Sequence, residues 1–240
     1  RSWLSRLYLR PLDHAEQPYE IDEDVYQRFD QRNNLTVGRP HWDAEIQHFT
    51  NEERRTSIRL RRIGSGRPGH ALEDYALYRA SGVMAKSLGT QINHANRGAT
   101  SWEPLIARVG DIERLGRWDG SPQAATSMVK RVARFVGADL VGEAPLDRRW
   151  IYSHAFWRDQ KHKEIVFQPA DAPMETGREL VIPESMQWVI VMAAEMKHTV
   201  IRYCPAPTGC AETQFTYGRM AGMVAGVAEF VRGLGRNAIP

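Results

Sequence analysis

Cysteine is scarce in this chain: Cys204 and Cys210 are the only two among 240 residues. A secreted disulfide scaffold carries more. A four-iron cluster takes about four thiolates, so these two cannot ligate one. Long apolar runs are missing as well. The longest, Trp188 to Ala194, falls far short of a membrane-spanning helix and fits a buried strand. Nor does one sign of charge dominate: 32 Lys and Arg face 29 Asp and Glu, leaving a net charge of +3. The excess is slight and interspersed, which argues for neither a nucleic-acid footprint nor a membrane patch. No repeat or low-complexity tract is present. The chain opens on Arg1 without an apolar signal segment, which leaves open a removed leader or a cut chain.

What is there has ordinary globular composition, 42% hydrophobic and 25% charged, enough for one large domain or two small ones. Residues 1–120 form an irregular amino-terminal unit, punctuated by Pro11, Pro18, Pro40 and Pro68. Within it, Arg54 to Arg62 alternates charge with Ile58 and Leu60 and reads as a solvated strand or a loop packed by Arg stems. Gly64 to Gly69 looks like a phosphate loop but lacks the Lys-Ser/Thr pair and the dinucleotide spacing, so it reads as a turn.

From Ser121 the signals sharpen. Ser121 can cap a helix with Pro122 at its first position, and apolar residues from Ala125 to Val136 recur at helical spacing until Gly137 stops them. Leu140-Val141-Gly142 reads as a short strand. Residues 154–186 are polar and broken by Pro169, Pro173 and Pro183, an insertion with possible edge strands at Ile165-Val166-Phe167 and Leu180-Val181-Ile182. Trp188 to Ala194 reads as a central strand. A second helix spans roughly Cys210 to Gly233, and Asn237-Ala238-Ile239 begins a further strand. Residues 121–153 and 187–240 thus outline the first part of an α+β core with α/β-like units.

The second helix concentrates the chemistry. Met220, Met223, Val224, Val227, Phe230 and Val231 form its core stripe. Gly218, Gly222 and Gly226 fall four apart beside it, and a helical glycine costs around 1 kcal/mol against alanine. Either close approach of another element or a large flat ligand would offset that loss. Tyr217 stands just before this face. A lone helical Tyr is usually a core aromatic with a hydrogen-bonded tip. As an acid it would need a nearby cation or a strongly basic acceptor.

Gly137-Ala138-Asp139-Leu140-Val141-Gly142, followed by Arg149-Trp150-Ile151-Tyr152-Ser153, resembles the paired segments of the corrinoid-dependent reductive dehalogenases. The resemblance continues through Trp188-Val189-Ile190-Val191, through Thr213 to Met220 (T-Q-F-T-Y-G-R-M) and through Arg232 to Pro240. Looser matches are Pro18-Tyr19 with Tyr26-Gln27-Arg28-Phe29, and His94 followed by Trp102. The resemblance implies a nitroreductase-like core that binds a cobalamin-type corrinoid, fed by two [4Fe-4S] clusters, and loss of halide from an aryl or alkenyl organohalide. It assigns Tyr217 as proton donor and Thr213, Gly218, Met220 and Gly222 to the cofactor, with Phe29 and Trp102 lining the substrate pocket. It further implies an electron donor, a membrane anchor subunit and a homodimer as partners. The protein would then lie on the outer face of the cytoplasmic membrane if a leader was removed, and in the cytoplasm otherwise. The family's activating cation and both Cys-rich motifs have no counterpart in these residues, and Arg219 is a poor substitute because helical neighbours do not face each other. Two other readings stay open: a corrinoid-binding module without catalysis, and a flavin nitroreductase-like protein.

Other groups carry less. Cys204 and Cys210, with His198 upstream, lack the second pair a zinc site needs and read as inert thiols. Lys161-His162-Lys163 reads as a solvated loop. Asp43 with Glu45, and Asp22 to Asp24, read as surface charge. Trp150 and Trp157 read as packing residues.

Overall fold

The computed structural model describes residues 20–36, 38–88, 101–102, 116–156 and 162–240. Among these, the α-helices begin with α1 (Ala44–Thr50), α2 (Glu52–Arg62) and α3 (Leu72–Leu88). Then come α4 (Pro122–Phe135), β1 (Leu140–Pro145), β2 (His154–Phe156), β3 (His162–Gln168), β4 (Met174–Glu175), β5 (Glu179–Pro183) and β6 (Trp188–Ala193). The short α5 (His198–Ile201) and the long α6 (Pro207–Gly233) complete the order. The fold is α+β, with two small sheets. No helix among the described residues is long and apolar enough to cross a membrane.

The helix starts follow local chemistry. The Asp43 carboxylate accepts from the backbone N–H groups of Glu45 and Ile46, the Asn51 side chain from Arg54, and the Ser121 hydroxyl from Ala124. Pro122 and Pro207 occupy first turns, where a missing N–H costs nothing. Gly137, at φ +108°, takes the left-handed conformation that ends α4. Gly64, Gly66 and Gly69 all have positive φ, so this stretch is a turn, as its composition predicts.

Several strand and loop expectations are corrected. Arg54 to Arg62 is helix α2, not a strand or loop: Asn51 caps it, and Arg, Glu and Leu are strong helix formers. Its inward contact is Arg59, whose guanidinium lies 4.4 Å from the ring centroid of Tyr78 on α3 and donates to the Tyr78 hydroxyl at 2.9 Å. With α1 and α3, this makes the described stretch 44–88 largely helical. The strand β6 is not central. Among the described residues it pairs with β1 alone, antiparallel, with Gly142 opposite Val191. Its Ile190 and Met192 pack inward while Trp188 and Val191 are exposed, so the apolar run spans both faces of a two-stranded ribbon.

The strands expected at an edge are instead interior. The second sheet has order β2-β3-β5-β4, with β3 and β5 parallel and the outer pairs antiparallel. Leu180, Val181 and Ile182 are buried, and Leu180 and Ile182 join Ile165 in a core covered by Trp102, Ile151, Phe167 and Ile239. Asn237 to Ile239 forms no strand. Asn237 Nδ2 donates to the Asp171 carbonyl at 2.6 Å, and Ile239 serves as packing for that core.

A separate core joins α4, α6 and the β1–β6 ribbon through Ala133, Ala138, Met223 and Val227, with Val129, Val132 and Val136 against it. α6 also packs along α3. Small residues are buried on both of these helices: Ser81 and Ala85 on α3, Gly218, Ala221 and Ala228 on α6. Short side chains of this kind let helix axes approach closely.

Candidate functional site

α6 is buried on two flanks, and its remaining surface divides into two stripes. A helix turns about 100° per residue. Thr213, Tyr217, Met220 and Val224 therefore share one stripe, on which Tyr217 is 40% exposed and Met220 37% exposed. Gly222 lies about 140° around the axis from Tyr217, on the stripe of the exposed Phe215. Gly218 is buried between these stripes. The five residues assigned to catalysis and cofactor thus do not form one surface: Thr213, Tyr217 and Met220 stand together, and the glycines point elsewhere.

The glycine row has two different surroundings. A Cβ on Gly226 would meet Val136 Cγ1 at 3.1 Å, so there the glycine permits close approach of the α4 terminus. A Cβ on Gly222 would meet nothing within 4 Å. The core stripe is also narrower than its periodicity suggests: Met223 and Val227 are buried, whereas Met220 is exposed.

Arg219, next to Tyr217, is committed elsewhere. Its guanidinium lies 3.6 Å from the Asp139 carboxylate and donates to the Glu195 carbonyl at 3.3 Å. Asp139 in turn accepts from the Glu195 backbone N–H at 2.7 Å. The aspartate of the G-A-D-L-V-G segment therefore anchors α6 to the end of β6. No ion pair or hydrogen bond of Tyr217 occurs among the described residues.

Phe29 and Trp102 have clear packing roles. Phe29 meets Tyr152 at 6.0 Å between ring centroids, and its carbonyl accepts from the Ser153 backbone N–H at 3.0 Å. Trp102 lies against the core of the four-stranded sheet. Its carbonyl and that of Ser101 each accept from Arg232 Nη2 at 2.9 Å, while Arg232 Nε donates to the Ala238 carbonyl at 3.1 Å. Arg232 is buried beside Glu229, to which it is ion-paired at 2.5 Å. The sequence marks Arg232 only as a motif letter. Its carbonyl-gathering role is visible only once Ser101, Trp102 and Ala238 come together.

Two motif blocks far apart in sequence dock on one another. Tyr26 donates its hydroxyl to the Arg149 carbonyl, and Arg28 donates to the carbonyls of Ile151, Tyr152 and Ile165. Arg149 itself grips Asp147 through both carboxylate oxygens and also reaches Glu23. The Arg149 guanidinium holds the Asp147 carboxyl below its ordinary range, and burial offsets part of that shift. Pro18-Tyr19, His94, Trp157 and Lys161 lie outside the described residues.

Cys204 and Cys210 are both free thiols. Burial raises the Cys210 thiol above its ordinary range, and the neighbouring Cys204 adds to the shift. Among the described residues, no zinc-like set forms around them with His198. Among the described residues, the one group with metal-ligand spacing is Asp30, His154 and His162. His162 begins β3 rather than sitting in a solvated loop. Its ring stacks on that of His154 at 4.5 Å between centroids. The sequence signal was the eight-residue spacing of the two histidines, which brings them onto paired strands only if β2 and β3 run antiparallel.

No family model matches the sequence. Curated proteins do: the chain is a relative of the reductive dehalogenases. It is 32% identical over 221 residues to the tetrachloroethene reductive dehalogenase of Sulfurospirillum multivorans, covering 83% of this chain and 42% of that protein. It is 31% identical over 142 residues to the tetrachloroethene reductive dehalogenase of Desulfitobacterium hafniense, covering 50% of this chain and 25% of that protein. The enzyme of the same name from Dehalobacter restrictus is 32% identical over 142 residues, with the same coverage. The chain thus spans less than half the length of these curated relatives.

Proposed function

We propose that this chain is part of a reductive dehalogenase, an oxidoreductase that removes halide from an aryl or alkenyl organohalide, and that Tyr217 donates the proton. The observation that carries the reading is Tyr217 itself: a half-exposed phenol on a rigid helix, in a chain related to enzymes of that name. Its stripe fits a flat, largely apolar macrocycle, because Thr213, Met220 and Val224 continue it without a charged side chain. A corrinoid bound there would supply the electrons at its cobalt. Tyr217 would hold its proton on the phenolic oxygen and release it to the strongly basic carbon left when the carbon–halogen bond is cleaved. Thr213 and Met220 would position the macrocycle. The buried Gly218 and the opposite-facing Gly222 are assigned no contact with it. Phe29 and Trp102 would act as supports of the substrate pocket through the packing described above.

In this reading the core is nitroreductase-like, and two [4Fe-4S] clusters belong to the whole enzyme. Cys204 and Cys210 cannot supply their ligands. An electron donor, a membrane anchor subunit and a second copy are partners of the same whole enzyme. A corrinoid-binding module without catalysis is the second reading, favoured by the engagement of Arg219 with Asp139 and the Glu195 carbonyl.

The test is Tyr217→Phe in the enzyme that contains this chain. The expected result is an unchanged cobalt absorption spectrum with halide release lowered roughly 10²- to 10⁴-fold. Unchanged turnover would remove Tyr217 from the reaction. Halide release absent even from the wild-type, corrinoid-loaded protein would favour the non-catalytic module.

A further inference from the structure

Asp30, His154 and His162 lie on three different segments and converge. Asp30 ends an extended stretch and makes a parallel bridge with His154, the first residue of β2. β2 pairs antiparallel with β3, so His154 stands opposite Glu164 and diagonal to His162 on the same face. His162 Nε2 is 3.1 Å from both Asp30 carboxylate oxygens, and His154 Nδ1 is 4.0 Å from Oδ2. One ligand atom from each of the three residues lies within 4.8 Å of the other two. The side chains are one-quarter to one-third exposed, which leaves an ion a route in from solvent.

We infer that Asp30, His154 and His162 form a binding site for a divalent transition-metal ion, with zinc as the representative case. Two imidazoles and one carboxylate are a borderline donor set. It suits zinc and its first-row neighbours, whereas magnesium and calcium take all-oxygen shells. Zinc bonds of about 2.0 to 2.2 Å place adjacent ligand atoms somewhat over 3 Å apart. The His162–Asp30 separation already meets that spacing, and the His154–Asp30 separation of 4.0 Å is wider by less than 1 Å. A neighbouring contact orients the carboxylate: Asp30 Oδ1 accepts from the Arg32 backbone N–H at 2.8 Å.

Three protein ligands leave at least one coordination position open. Beside His162 lies a cleft of about 180 Å³ lined by Arg32, His41, Trp42 and Phe156. A position open on the His162 side would face water or a small anion in this cleft, where the Arg32 guanidinium would favour the anion. An ion here would also clip the segment that carries Asp30 to the four-stranded sheet, joining residues more than a hundred positions apart in the chain. The site is independent of the corrinoid reading, since it shares no residue with the Tyr217 stripe.

The experiment is zinc titration of the purified protein, with zinc-edge X-ray absorption on the loaded sample. That edge is element-specific, so bound cobalt or iron does not interfere. One zinc per chain is expected, with a nitrogen and oxygen shell near 2.0 to 2.1 Å. Asp30→Asn and His162→Gln should each weaken binding at least tenfold and remove the rise in melting temperature that zinc causes in the wild type. Cys204→Ser with Cys210→Ser should leave affinity unchanged. A sulfur shell near 2.3 Å would place the ion on the cysteines and overturn the site. So would wild-type affinity in both ligand variants. Should either variant fail to fold, the wild-type spectrum decides alone. A protein that takes up no zinc has a histidine–carboxylate clasp there, and the inference is wrong.

Discussion

Arg28 donates from its guanidinium to the carbonyl oxygen of Ile165 at 3.0 Å, across 137 residues of chain. The same side chain donates to Ile151 at 3.0 Å and to Tyr152 at 2.5 Å, and it lies over the Phe167 ring at 5.4 Å. One side chain thus ties the amino-terminal segment to both the motif around Arg149 and the inner strand β3.

Removing that fork leaves three carbonyl groups to find other donors. Arg28→Ala is expected to cost about 2 to 4 kcal/mol, since hydrogen bonds to charged groups count more than neutral ones. Arg28→Lys should recover only part, because a point-like ammonium cannot reach diverging acceptors as a planar fork does. Urea denaturation midpoints at fixed slope measure both. Equal stability of Arg28→Lys and wild type would show that charge, not the fork, is what matters.

The glycines of α6 give a paired test. Gly222→Ala gains helix propensity without a clash and should stabilise by up to about 1 kcal/mol. Gly226→Ala gains the same propensity but presses on Val136 at 3.1 Å, so its net gain should be smaller or reversed. Thermal melts of the two variants side by side check this order. The opposite ranking would mean that Gly222 has a contact partner in solution.

Acid should weaken the docking of the amino-terminal segment through Asp147. The Arg149 side chain holds this carboxyl below its ordinary range in the folded state, with the Arg149 backbone N–H adding to the effect. Unfolded, the group takes up its proton at the ordinary value of about 3.9, so in that window the unfolded state binds more protons. Its contribution is therefore complete above that value and lost as the pH falls through the lower folded one. Melting temperature against pH should fall less steeply below about pH 4 in Asp147→Asn, which should also be less stable at neutral pH. Parallel curves for variant and wild type would remove Asp147 from the acid response.

Local signals were legible where the chemistry was local. Ser121-Pro122 and Gly137 delimit α4 because capping and left-handed backbone are decided within a few residues. α6 began only three residues earlier than its periodicity indicates, with Pro207 in its first turn. In Arg54 to Arg62, Ile58 and Leu60 two apart imitate a strand, while the Asn51 cap three residues before Arg54 sets a helix. β3 and β5 looked like edges because flanking prolines and polar residues mask how deeply Leu180 and Ile182 are buried.

The candidate site divides in the same way. By itself the sequence determined that Tyr217 lies on a helix, in a row with Thr213 and Met220, within segments shared with the reductive dehalogenases. Helical periodicity and motif order need no tertiary information. Only the tertiary structure decided that Gly218 is buried and that Arg219 is held by Asp139. It alone brought Asp30 to His154 and His162. Those outcomes depend on which flanks of α6 are covered and on strand pairings between residues distant in sequence, and nothing in a local window encodes them.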